Sequence, residues 1–288
     1  MRFSMIQNGL VLVMLTLVTP SVHAAGSVIK AHEISTFLLL MVFCGCIVFY
    51  IRKARSGGRM YVRRIPALAS VNEAVGRATE MGRACVFIPG IMDIDDIQTL
   101  AGLNILGSVA RKTAVYDTDL KVPCAKSMVL STAQDVVKES YLRTGHPDTY
   151  NEGAIYYVTD DQFAFAAGVN GMLVREEPAA IMMLGTFYAE SLLIAETGNH
   201  IGAIQIAGTA ESSQLPFFIA ACDYVLIGEE LFAASAYMSN DPLLLGSLKG
   251  QDVGKIFIMM TILYGCLAEM AIRLFSLPSV FSLSYIFS

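Results

Sequence analysis

Apolar and polar positions along the chain fall into three regimes. From Ile34 to Ile51 eighteen residues in a row carry no charge; as a helix rising ~1.5 Å per residue they would extend ~27 Å, close to the ~30 Å of bilayer hydrocarbon. From Ala84 to Asn240 short apolar runs alternate with stretches of helical periodicity. From Ile256 to Ile272 a second long apolar run is interrupted by Glu269 and closed by Arg273. The pattern predicts a transmembrane helix at 34–51, an α/β domain at 83–252 and a second transmembrane helix at 256–275, followed by an apolar tail at 276–288.

In the middle regime, strands are predicted at Ala84–Ile88, Leu120–Pro123, Ala154–Val158, Ala179–Leu184, Ala203–Ala207 and Tyr224–Ile227. Helices are predicted at Ser70–Met81, with Ser70 and Glu73 as a capping box, and at Asp93–Lys112, Ser131–Arg143, Tyr188–Thr197, Ser212–Ala221 and Glu230–Met238. Asp160–Glu177 reads as a helix headed by two acids or as a hairpin turning at Asn170-Gly171; its length favours the helix. Near-continuous apolarity in the later strands means that both of their faces are covered. The expected fold is therefore α/β, a three-layer, doubly wound, mostly parallel sheet flanked by transmembrane helices. Gly246, Gly250 and Gly254 read as a loop leading to the second span.

Charge refines the placement. Residues 52–82 form a basic juxtamembrane linker and short helix, in which Arg52, Lys53, Arg55, Arg59, Arg63 and Arg64 follow the first span without an acid among them. By the positive-inside rule they hold that end, and the α/β domain, in the cytoplasm. Residues 1–24, with Arg2, an apolar Gly9–Val18 and Val22-His23-Ala24, read as a signal peptide. From Ile65 to Asp252 there are 10 Lys and Arg against 23 Asp and Glu, a balance of −13. A domain so acidic is repelled by phosphate backbones, so no nucleic acid is expected as partner. The lipid bilayer and further copies of the chain are.

Catalytic signatures are absent: no GxGxxG, GxxxxGK[ST], GxSxG or HExxH occurs. The six cysteines lie in apolar surroundings without CxxC spacing and read as small apolar residues, and no cofactor is implied. His146 and His200 lie in a turn and at a helix end. Acids do recur just past the strands: Asp93, Asp95 and Asp96, then Asp160 and Asp161, Glu190, Glu211, and Glu229 with Glu230. In a parallel sheet these share the carboxyl edge, where such folds bind ligands. The candidate ligand residues are Asp93, Asp160, Glu190, Gly208, Thr209, Glu211 and Glu229, as a divalent-cation site or a phosphate cradle at Gly208-Thr209. Helix capping explains the same acids without any ligand. Glu269 and Arg273, four apart, read as an intramembrane charge pair.

Several stretches resemble a known family: Phe87-Ile88-Pro89-Gly90 through Asp95-Asp96-Ile97-Gln98-Thr99-Leu100-Ala101-Gly102, Ala195-Glu196-Thr197-Gly198-Asn199, Gln205-Ile206-Ala207-Gly208-Thr209, Leu215-Pro216-Phe217-Phe218-Ile219-Ala220-Ala221-Cys222-Asp223, and Gly246-Ser247-Leu248-Lys249-Gly250-Gln251-Asp252. They are similar to an uncharacterised family of prokaryotic membrane proteins known only as a domain of unknown function, over about Met60 to Lys255. The resemblance implies a membrane-associated domain followed by a helix, in a prokaryotic inner membrane, and carries no catalytic residues. Two alternative functions are expected from the whole: a self-assembling membrane scaffold, or a small-ligand or divalent-cation domain, an enzyme among the options, that uses the acidic edge.

Overall fold

The strand that opens the domain, β1 (Cys85–Gly90), is buried along its whole length, and its alternate residues enter two different cores. In this computed structural model, which describes residues 31–56, 66–239 and 241–275, Cys85 and Phe87 join one apolar cluster and Val86 and Ile88 the other. The same alternation recurs in β4 (Ala180–Thr186): Ala180, Met182 and Leu184 face one side, Ile181 and Met183 the other. A strand apolar on both faces needs a layer on each side. The predicted three layers follow.

Six strands form the sheet: β1, β2 (Leu120–Cys124), β3 (Ile155–Tyr157), β4, β5 (Ile204–Thr209) and β6 (Tyr224–Ile227). All neighbours are parallel, in the order β3-β2-β1-β4-β5-β6. This order is doubly wound, with its switch point between β1 and β4. The first core is covered by α2 (Pro66–Met81), α3 (Ile97–Tyr116), α4 (Ser127–Thr144) and α8 (Glu229–Ser239). The second is covered by α5 (Gln162–Glu176), α6 (Glu190–His200) and α7 (Leu215–Ala221). The Asp160–Glu177 segment is thus a helix, and Asn170-Gly171 lies inside it.

Two local expectations are corrected. Ser70 is no cap: α2 already starts at Pro66, a residue suited to a first helical turn, and Ser70 is buried within it. Helix α6 does not stop at Gly198 but runs through it to His200. Gly198 is needed there for close approach, since a Cβ would lie 2.4 Å from Oε1 of the buried Gln205.

The described residues divide into two units, one within 60–241 and the other made of the terminal helices α1 (Ala31–Arg55) and α9 (Pro242–Phe275). In the second unit the glycines expected in a loop are helical. Gly246, Gly250 and Gly254 recur every fourth residue on one side of α9 and seat it against α1. A Cβ at Gly246 would stand 2.6 Å from Ile51 Cα, at Gly250 2.8 Å from Ile47 Cα, and at Gly254 2.1 Å from the Phe43 ring. Stripes of small residues let helix backbones approach in this way. Pro242–Ile272 is long and apolar enough to cross a membrane, with mean hydropathy 1.7. Residues 1–24, expected to be a signal peptide, Arg59 and residues 276–288 lie outside the described residues.

Candidate functional site

The predicted ligand residues are strung along the carboxyl edge of the sheet, and at the switch point the backbone closes it. Between Ile88↔Met183 and Gly90↔Thr186 the register shifts by one residue, with Gly185 as the extra one. Gly90 (φ +93) and Gly185 (φ +156) both occupy conformations that favour glycine. A Cβ on Gly185 would lie 2.2 Å from Pro89 O, and one on Gly90 2.6 Å from Thr186 O. A third glycine, Gly102 of α3, has Leu184 O where its Cβ would be, at 2.2 Å. Helix and strands meet here through bare backbone.

On the α3 side, Asp96 caps the helix. Its Oδ2 accepts from Thr99 N and Thr99 Oγ1, both at 3.1 Å, and also from Thr186 Oγ1 at the end of β4. Two residues on, Gln98 turns its amide toward β5. Its Oε1 accepts from Ala210 N at 2.6 Å and Thr209 Oγ1 at 3.2 Å, while its Nε2 donates to Glu211 Oε1 at 3.4 Å. Glu211 N in turn donates to Thr209 Oγ1 at 3.2 Å. The Ala210 and Glu211 amides, which a phosphate at the end of β5 would need, are engaged within the protein.

On the α6 side, Glu190 is fully buried. Its Oε1 accepts from Tyr188 N at 2.7 Å and its Oε2 from Gln162 Nε2 at 2.5 Å, linking the starts of α5 and α6. Next to it the buried Ser191 donates to Gln214 Oε1 at 3.0 Å. Burial of a carboxylate demands such partners.

The other predicted residues do not converge. Asp93 bonds the adjacent Ile94 N at 2.8 Å. Asp160 is exposed and 3.8 Å from Lys126 Nζ, whereas the neighbouring Asp161 caps α5 through Ala164 N at 2.8 Å. Gly208 lies inside the sheet, where a Cβ would press on the Leu184 and Leu226 side chains, and Glu229 opens α8 on the surface. Among the described residues no three His, Cys, Asp or Glu side chains come together in a way that could hold a metal. Glu269 is exposed on α9, and the Arg273 side chain lies outside the described residues.

A pocket opens at the opposite edge of the sheet. A pocket of about 240 Å³ at the amino ends of β2 and β3 is lined by Asp117, Asp119, Tyr141, Tyr150 and Asn151. The two tyrosine rings meet edge to face at 6.0 Å. Burial, then the negative charge of Asp119 and Asp117, pushes the Tyr141 hydroxyl upward from its ordinary value and keeps it protonated. Asp117 and Asp119 stand between α3 and β2, whereas the tyrosines that complete the pocket come from later in the chain.

Comparison with protein families decides the kinship, with a match over residues 24–279 to a domain of unknown function, DUF6754. The chain belongs to that family. The match includes α1 and α9 as well as the sheet, so both units are part of the family's common sequence. No curated protein and no solved structure matches the chain.

The cysteines are free. Burial pushes the Cys85 and Cys124 thiols up to about 12, and burial with the adjacent Asp223 does the same to Cys222. Thiolate chemistry needs the opposite shift.

Proposed function

We propose that this DUF6754 protein is a membrane-anchored scaffold: α1 and α9 form a hairpin in the bilayer, and the α/β domain faces the cytoplasm and assembles with copies of itself. The observation that carries the reading is the helix pair. Its inner side is a glycine stripe fitted to backbone, while its outer side presents Phe37, Leu40, Met41, Ile258, Met259 and Leu263, each more than half exposed. Such an apolar surface is stable in lipid and unstable in water. Arg52, Lys53 and Arg55 at the end of α1 support the cytoplasmic orientation.

The carboxyl edge supports a structural role for its acids, because Asp96, Asp161 and Glu190 bond backbone and side-chain donors at helix starts and the switch point is closed. The reading is tested on full-length protein. It is expected to stay with membranes at alkaline pH and, solubilised in detergent, to scatter light as a multimer at micromolar concentration. Release by alkali would overturn the anchor, and a single monomeric species would overturn the assembly.

A further inference from the structure

The glycine contacts fix the register of the hairpin. Ile51, Ile47 and Phe43 stand against Gly246, Gly250 and Gly254, so four residues forward on α9 are four residues back on α1. Continued at that step, Ile34 stands level with Leu263. The uncharged run of α1, Ile34–Ile51, therefore lies abreast of Gly246–Leu263. That stretch of α9 contains Lys249, Asp252 and Lys255, which the sequence alone places before the membrane. Where α1 crosses the bilayer, all three charges enter it.

Lys249 and Asp252 pair with each other, Lys249 Nζ to Asp252 Oδ2 at 3.3 Å, and the Asp252 side chain remains 54% exposed. They also begin a pattern. Lys249, Asp252, Ile256, Met259, Leu263 and Cys266 follow one another at steps of three and four, on a side of α9 turned away from its glycines. Ile256, Met259 and Leu263 are 58%, 65% and 54% exposed, and Cys266 is exposed. Steps of three and four make the seam along which two helices interlock, and polar residues at seam positions set partner and register.

We propose that this seam docks α9 of a second copy of the chain, in parallel, with Lys249 of each copy beside Asp252 of the other. Charge selects the occupant. Copies in one membrane point the same way, so like helices meet at equal depth, and each acid on the seam then gains a second cation without leaving the hydrocarbon. A partner without that pair leaves Asp252 open to lipid, which disfavours an exposed charge. The inference rests on the membrane reading above and names the interface of the proposed assembly.

Cross-linking in native membranes tests it. Cys44, Cys46, Cys222 and Cys266 are replaced by alanine, the buried Cys85 and Cys124 are kept, and single cysteines are placed at Met259, Leu263, Ile258 or Ile262. Mild oxidation is expected to give disulfide dimers at Met259→Cys and Leu263→Cys, and at least tenfold less at the exposed positions 258 and 262 on the other flank. Asp252→Lys, which sets lysines against lysines, is expected to reduce the dimer at least tenfold, and adding Lys249→Asp to restore it. Equal cross-linking on both flanks, no cross-linking, or no effect of the charge exchange would overturn the seam. Alkaline extraction of the same membranes separates the two failures, since protein that washes off removes the anchor, whereas protein that stays removes only the interface.

Discussion

Gly250 of α9 lies so close to Ile47 of α1 that a single methyl on the glycine would be 2.8 Å from the Ile47 Cα. Neither backbone can retreat without lifting the helices apart. Gly250→Leu is expected to destabilise the hairpin by about 1 to 3 kcal/mol, the usual cost of overpacking, read as a lower melting temperature in detergent. Gly45→Leu, at a position with open space around it, is expected to change the melting temperature little.

Asp96 serves two elements at once, capping α3 and accepting from Thr186. Asp96→Ala is expected to cost about 1 to 2 kcal/mol, and denaturation with and without added Ca²⁺ or Mg²⁺ checks that the loss is the same. The Asp96→Ala and Thr186→Val changes are expected to be non-additive in a double-mutant cycle, as for any pair in direct contact. Asp160→Ala is expected to stay within about 0.5 kcal/mol, because its ion pair is long and solvent-screened.

Replacing Glu190 by alanine strands the Tyr188 N–H and the Gln162 amide. A loss of about 1 to 2 kcal/mol is expected from the two partly buried donors left without an acceptor, measured by urea unfolding. Gln162→Ala is expected to be similarly harmful, because it removes the side-chain donor to Glu190 Oε2.

Alkali is expected to unfold the domain in part through its thiols. Cys85 and Cys124 stay protonated in the fold up to about 12 against an ordinary 9.0. The folded state thus holds protons that the unfolded state releases. Their contribution to stability is intact below pH 9 and is lost as pH rises toward 12, by about 1.4 kcal/mol per pH unit for each thiol. Melting temperature against pH from 8 to 11 checks the sign, and the Cys85→Ala/Cys124→Ala protein is expected to show a shallower fall.

The six strands were legible because each is a short apolar run bounded by Gly, Pro or acids, a pattern that survives any tertiary arrangement. Helix starts were less so. Ser70 and Glu73 have capping-box spacing, yet the helix begins at Pro66, since tertiary packing of Val71, Ala74 and Val75 against the sheet outweighs one local cap. The glycines of α9 misled in the opposite direction. Taken singly they suggest a loop, and only their four-residue spacing, against a partner some two hundred residues earlier, makes them a helix face. For the candidate site, acids at helix starts were readable as caps. Their partners were not: Thr186 is 90 residues from Asp96 and Ala210 is 112 from Gln98, and no periodicity in a sequence reports such meetings.

The closed switch point also leaves a mark that can be looked for across relatives. At positions 90, 102 and 185 there is no room for even the smallest side chain, because what stands in the way is backbone, which cannot rotate aside. A homologue that bears alanine at one of the three must have moved a strand or helix to admit it. Such substitutions, wherever they occur, would flag the branches in which a sheet edge sealed here has been opened for another use.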